Sequence, residues 1–134
     1  MPSIHREIVV SSSPQAVWDA IRDIGALHTR LVPGFVTDTR LEPGGGARTV
    51  TFANGMVLKE PIVGIDEERR RLAWTAEGGP LAHYNASVQA FAEGAGSRVV
   101  WIADVLPQAA ATMVASMMDQ GMAAMKKALD SPSP

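Results

Sequence analysis

Hydrophobic and polar positions follow a changing period along the chain. Residues 4–10 are rich in β-branched side chains, which predicts a first strand. Three serines and Pro14 follow, an order typical of a helix start, because proline at the first helical position loses no hydrogen bond. The pattern then predicts a helix over residues 14–23 and a second short helical segment over residues 26–31.

The middle of the chain consists of short runs in which hydrophobic and polar residues alternate. Glycine-containing and charged turns separate these runs, so they predict antiparallel hairpins joined in a meander. The six predicted strands cover residues 35–41, 48–52, 56–65, 72–76, 84–91 and 98–106.

The last part of the pattern predicts one long helix over residues 108–130. Its apolar positions recur at spacings of three and four, and five of the seven methionines lie on it. Methionine adapts to irregular space, so this helix is either an ordinary core helix or the wall of a cavity. The predicted apolar face carries Ala111, Ala115, Met118, Met122 and Met125, and Gly121 would leave room beside it.

The order of these elements predicts an α+β fold, because the strands are grouped between helices instead of alternating with them. A chain of 134 residues is the size of one domain, which we place at residues 1–130, followed by a short disordered tail at residues 131–134.

Composition removes several classes of function. A formal net charge of −2 argues against binding nucleic acid or an anionic membrane surface. Cysteine is absent, and the three histidines have no metal-site spacing, so we expect no metal and no cofactor. No apolar run is long enough for an integral membrane segment, and we expect a cytoplasmic protein. Oligomeric state cannot be read from these features.

The turn at Asn54–Gly55 decides which side chains meet across the third and fourth strands. A two-residue loop would place Arg48 and Glu60 on opposite faces of the sheet. A three-residue loop over residues 53–55 sets them directly opposite each other. We prefer the second, because it collects the apolar side chains of both strands on one face. That face would carry Val50, Phe52, Met56, Leu58 and Ile62.

With this register, Arg48 and Glu60 have two possible environments. They form either a buried pair, which needs hydrogen bonds to balance its charges, or a solvent-facing pair worth only about 0–1 kcal/mol. The residues alone favour neither. Desolvation of Glu60 would raise its pKa toward the range useful for general acid–base catalysis.

Three aromatic residues and one histidine are further candidates for a site. Tyr84, the only tyrosine, and Trp74 lie on strands with an apolar face. The pattern does not decide which face of the sheet Trp101 occupies, and a core position under the first helices is favoured over a ligand contact. His28 is within reach of a cavity mouth, although a solvated position is favoured. No serine–histidine, phosphate-loop or dinucleotide motif is present.

Five motifs in order carry a resemblance: SSSPQAVWDAIRDI, ARTVTFANG, LKEPIVGIDEERRRLAW, GGPLAHYNASV and SRVVWIADVLP, with the long helix last. Together they resemble the START-like (SRPBCC) helix-grip superfamily, which includes birch-pollen-allergen-like and bacterial polyketide cyclase/dehydrase-like proteins. The resemblance implies a seven-stranded antiparallel sheet wrapped around the C-terminal helix. It also implies two short helices between the first two strands and a cavity between sheet and helix.

The resemblance also implies positions for the site. Glu60 and Tyr84 correspond to the glutamate and tyrosine that face the cavity in similar ligand-binding proteins, and Arg48 and Trp74 fall on matching inward positions. The cavity lysine and gating loop of similar plant hormone receptors have no clear equivalents here.

We therefore expect the protein to bind a small hydrophobic ligand, lipid-like or polycyclic and polyketide-like. One alternative is a polyketide cyclase or dehydratase with Glu60 as acid or base and Tyr84 as donor. The other is a protein-interaction domain whose cavity is filled by side chains. The expected binding residues are Arg48, Val50, Phe52, Leu58, Glu60, Ile62, Trp74, Tyr84, Met118 and Met122.

Overall fold

A computed structural model describes residues 1–130; the disordered tail predicted at residues 131–134 lies outside the described residues. Seven antiparallel strands, β1 to β7, form one sheet in the order β1-β7-β6-β5-β4-β3-β2. The meander is therefore as predicted, with β1 paired beside β7 at one edge. In chain order the strands are Ser3–Val10, Val36–Leu41, Ala47–Phe52, Val57–Asp66, Arg71–Thr75, His83–Glu93 and Gly96–Leu106.

Helical segments lie between β1 and β2 and after β7. Helix α1 is followed by a 3-10 turn and a π-helical turn, and helix α2 is preceded by another 3-10 turn. The bounds of these segments are Pro14–Arg22 for α1, Ile24–Ala26 and Leu27–Leu31 for the turns, Gln108–Ala110 for the third turn and Ala111–Asp130 for α2. This is the helix-grip α+β fold that the resemblance implied.

Helix α1 begins where the serine–proline sequence predicts it. The Ser13 hydroxyl accepts a hydrogen bond from the Ala16 N–H at 3.2 Å, which satisfies one of the free donors of the first turn. The helix buries Val17, Trp18 and Ile21. It packs on β5, β6 and β7, so it covers one part of the inner face of the sheet.

Helix α2 covers the other part, against β1 and β7. Met118, Met122 and Met125 are buried as predicted, whereas Ala111 and Ala115 are only half-buried. The buried side of α2 is completed by Val114 and Leu129 instead, together with Gly121. No helix within residues 1–130 is long and apolar enough to span a membrane.

Candidate functional site

The β3–β4 hairpin has the three-residue loop that the apolar pattern favoured. Arg48 lies directly across from Glu60 in the sheet register. Beside the loop, the Phe52 N–H donates to the Met56 carbonyl at 2.9 Å. Gly55 has a φ of 89°, a left-handed conformation that favours glycine. The loop therefore places the arginine and the glutamate on the same, inner face.

Arg48 and Glu60 form a buried ion pair, which decides between the two environments left open above. The Arg48 Nε donates to Glu60 Oε1 at 2.8 Å, and the two side chains are only 3% and 7% exposed. Arg48 Nη1 donates to the Ile24 carbonyl at 3.3 Å. The guanidinium also lies over the Trp74 ring, 5.6 Å from its centroid. The pair brings two opposite charges, and no net charge, to the inside of the protein.

Burial changes the proton affinities of both titratable acids in this region. Desolvation raises the pKa of Glu60 above its ordinary value, while the Arg48 guanidinium opposes that rise. The pKa of Tyr84 is also raised, first by burial and then by the nearby Glu60 carboxylate. Trp101 and Arg48 act in the opposite direction on Tyr84. The tyrosine hydroxyl is therefore protonated at neutral pH and able to donate a hydrogen bond.

A cavity of about 70 Å³ lies between the inner face of the sheet and α2. Seven of the ten predicted binding residues line it: Arg48, Phe52, Leu58, Glu60, Trp74, Tyr84 and Met118. The other three, Val50, Ile62 and Met122, do not.

Two local features explain why Ile62 and Met122 lie off the cavity. The β4–β5 register shifts between Ile62 and Gly64, and such a bulge re-aims the side chains beside it. On α2 the lining residues are Met113, Val114, Met117, Met118 and Met125, which share one side of the helix. At 3.6 residues per turn, Met122 is rotated about 40° past Met118 around the helix axis, just outside the arc that the lining residues cover. Val50 is fully buried in the core.

The lining includes residues that the sequence did not single out. Leu72 and Val88 follow the same two-residue alternation as Trp74 and Tyr84, so the pattern contained their signal. Apart from Trp101, the lining residues that keep partial exposure mark where the cavity meets the surface, and we call them the mouth. The mouth consists of Phe35, Met56, Leu81, Met113 and Met117.

Trp101 lies on the inner face and lines the cavity. The predicted core position is correct in that Trp101 packs against the buried core, but its ring lies beside α2 at Gly121 and not under the first helices as expected. A Cβ added to Gly121 would lie 2.8 Å from Trp101 Cζ3 and 3.1 Å from Phe35 Cε2. Glycine therefore leaves the room into which Trp101 packs. The Trp74 and Trp101 ring centroids are 6.3 Å apart.

Two indole groups in this lining have unused hydrogen-bonding capacity. The Nε1 atoms of Trp74 and Trp101 are shielded from solvent and have no hydrogen-bond partner within residues 1–130. His28 is half-buried and does not line the cavity. In the described part of the chain, no three or more histidine and acidic side chains are grouped to hold a metal ion.

Solved structures similar to this chain share its fold. Protein XoxI from Bacillus cereus is 19% identical, with a TM-score of 0.85 and 96% of each chain covered. Ara h 8.0201 is 18% identical, with a TM-score of 0.73 over 96% of this chain and 97% of that one. A norcoclaurine synthase point mutant from Thalictrum flavum, in complex with a transition-state analogue, is 21% identical, with a TM-score of 0.67 over 96% and 93%.

Sequence comparison identifies a family for this chain but no individual curated relative. No curated protein is similar enough in sequence to count as a match. The family model described as polyketide cyclase / dehydrase and lipid transport matches residues 1–130, which is nearly the whole chain. The chain therefore belongs to this polyketide cyclase / dehydrase and lipid transport family, within the START-like superfamily.

Proposed function

We propose that the protein binds a small hydrophobic molecule, lipid-like or polycyclic and polyketide-like, in the cavity between the sheet and α2. The observation that carries this proposal is an apolar cavity with a few buried polar groups on one wall. Ligand sites typically combine apolar walls with a small number of orienting polar groups. In this cavity the apolar walls include Phe52, Leu58 and Met118, and the orienting polar groups include Arg48 and Tyr84.

The volume of the cavity sets a condition on binding. About 70 Å³ is small beside the roughly 300–1,000 Å³ of pockets that hold drug-sized ligands. A ligand of that size must therefore displace side chains in the wall. Three of the five mouth residues, Met56, Met113 and Met117, are methionines, whose unbranched side chains change rotamer at low cost. We expect the cavity to widen at the mouth on binding.

A fluorescence titration tests this function. The probe is N-phenyl-naphthylamine, an uncharged dye whose emission rises in apolar surroundings. Val114→Phe enlarges a side chain in the lining and should weaken dye binding by about tenfold or more, because overpacking a cavity opposes its widening. Val63→Phe, on an exposed position of β4, is the matched control and should leave the affinity unchanged.

Circular dichroism should first establish that both variants fold, with Val88→Leu as a milder substitution in the lining. Equal dye affinity in the wild type and a folded lining variant would place the dye elsewhere and contradict the proposal. Native mass spectrometry of the protein purified from its own host would then identify a retained molecule.

Two observations support other functions. The raised pKa of Glu60 supports an enzyme of the cyclase or dehydratase type, with Glu60 as acid or base and Tyr84 as donor. A pH–rate profile that Glu60→Gln abolishes would establish that function. The small volume supports instead a protein-interaction domain with a filled cavity. Absence of dye binding in the wild type would favour that alternative.

A further inference from the structure

The unused hydrogen-bonding groups on the cavity wall are donors. Trp74 and Trp101 both line the cavity, and each has a buried indole N–H with no partner among residues 1–130. A buried donor without an acceptor costs about 1–3 kcal/mol, so folded proteins rarely leave one unpaired. Two such donors on one wall therefore indicate a position for an acceptor that residues 1–130 do not supply.

Tyr84 adds a third donor to the same wall. Tyr84 is 8% exposed and lines the cavity. Since burial raises the pKa of the hydroxyl, the group keeps its proton over the physiological range. The Trp101 N–H interacts with the Tyr84 hydroxyl but falls short of hydrogen-bond geometry. The indole and the hydroxyl are thus close enough together to meet one ligand group.

The charges of the lining cancel each other. Arg48 and Glu60 are the charged residues of the lining, and they pair at 2.8 Å with both side chains buried. A ligand carboxylate would find an arginine already neutralised and a glutamate beside it. A ligand ammonium would find the glutamate already bound by the arginine. Either ion would lose its hydration without gaining a free partner of opposite charge.

We infer that the cavity takes an uncharged molecule whose carbonyl-type oxygen accepts hydrogen bonds from the indole groups of Trp74 and Trp101 and the Tyr84 hydroxyl. This inference rests on the proposed function and narrows the class of hydrophobic ligand. Neutral ketones and quinones fit the wall, whereas fatty acids and amines do not.

Three probes of almost equal size test the inference. The probes are isopropylnaphthalene, methyl naphthyl ketone and naphthoate, each substituted at the same ring carbon, and the ketone differs from each of the other two in one heavy atom of the substituent. Isothermal titration calorimetry measures their affinities for the full chain at neutral pH. We expect the ketone to bind about tenfold more tightly than the hydrocarbon, and naphthoate to bind more weakly than the ketone.

Tryptophan variants show which groups receive the oxygen. Trp101→Phe and Trp74→Phe each keep an aromatic ring and remove one cavity donor. Each should reduce the advantage of the ketone over the hydrocarbon by about threefold or more, while the hydrocarbon affinity changes little. Trp18→Phe is the matched control, because the Trp18 N–H donates to Glu67 Oε1 at 2.8 Å and Trp18 does not line the cavity. This control should keep the full preference.

The outcomes separate this inference from the proposed function. Hydrocarbon binding without a ketone preference, or naphthoate binding as tightly as the ketone, overturns the inference and leaves the proposed function standing. A ketone preference that persists undiminished in both Trp74→Phe and Trp101→Phe overturns it as well. Failure of all three probes to bind the wild type overturns both.

Discussion

Two arginine–glutamate pairs, each with a tryptophan beside it, occupy opposite environments in this protein. At the surface, Arg22 donates to both Glu67 oxygens at 2.8 Å, and the side chains are 47% and 57% exposed. Trp18 completes this group by donating to the same carboxylate. In the cavity wall, Arg48 makes one 2.8 Å hydrogen bond to Glu60, and both are almost fully buried.

The comparison shows that hydrogen-bond geometry and energetic importance are separate quantities. The surface pair has the better, two-pronged geometry, but water screens its charges and would hydrate them if the pair broke. The buried pair has fewer hydrogen bonds, yet neither partner can lose the other without leaving an uncompensated charge in the interior. The two tryptophans differ as well. The Trp18 N–H donates to Glu67, whereas the Trp74 N–H has no hydrogen-bond partner among residues 1–130.

The largest expected effect on stability comes from removing one partner of the buried Arg48–Glu60 pair. Arg48→Met should lower the free energy of unfolding by about 3–5 kcal/mol, because Glu60 stays buried without its partner. Denaturation in urea measures the loss. The double variant Arg48→Met with Glu60→Leu should recover most of it, since no charge remains to be compensated. A single variant about as stable as the wild type would show that the pair is not energetically coupled.

The pH dependence of stability should have opposite signs for the two glutamates. The pKa of Glu60 in the folded protein is raised above its ordinary 4.5. Its contribution to the free energy of unfolding is therefore fully present below pH 4.5 and is lost as the pH rises through the folded pKa. The pKa of Glu67 is lowered, chiefly by the hydrogen bond from Arg22. The contribution of Glu67 to the free energy of unfolding is therefore present above pH 4.5 and is lost as the pH falls through its folded pKa.

Unfolding free energies from about pH 3 to about pH 8 measure this contrast. Relative to Glu60→Gln, the wild type should lose stability as the pH rises. Relative to Glu67→Gln, it should gain stability as the pH rises. Profiles of the same sign for both variants would contradict the assigned environments.

The smallest effect is expected from the surface pair at neutral pH. Glu67→Gln should lower the unfolding midpoint only slightly more than Glu68→Gln does at the neighbouring exposed position, because glutamine still accepts hydrogen bonds and water screens the lost charge. Thermal unfolding of both variants at low and high salt makes the comparison. If Glu67→Gln lost as much stability as Arg48→Met, the exposure of a pair would not determine its contribution to stability.

Much of the candidate site could be predicted from local patterns. The choice between two loop lengths at Asn54–Gly55 rested on the apolar face, and it placed Arg48 opposite Glu60 as the structure does. Alternation gave the strands of Trp74 and Tyr84 one apolar face each, and the family resemblance implied that both side chains point inward. Ile62 and Met122 do not line the cavity, because neither a bulge nor the rotation of a helix about its axis leaves a mark in local periodicity. Val50 is fully buried and does not line the cavity either.

By itself, the sequence determined the order and the approximate bounds of the elements, the antiparallel meander and the hairpin register, because these follow from hydrophobic period and turn chemistry over a few neighbouring residues. Only the tertiary structure decided that Arg48 and Glu60 are buried, that Trp101 packs against Gly121, and how much space lies beneath α2. Each of these depends on the distance between elements far apart in the chain. That distance is set by the packing of all their side chains together, which no local pattern encodes.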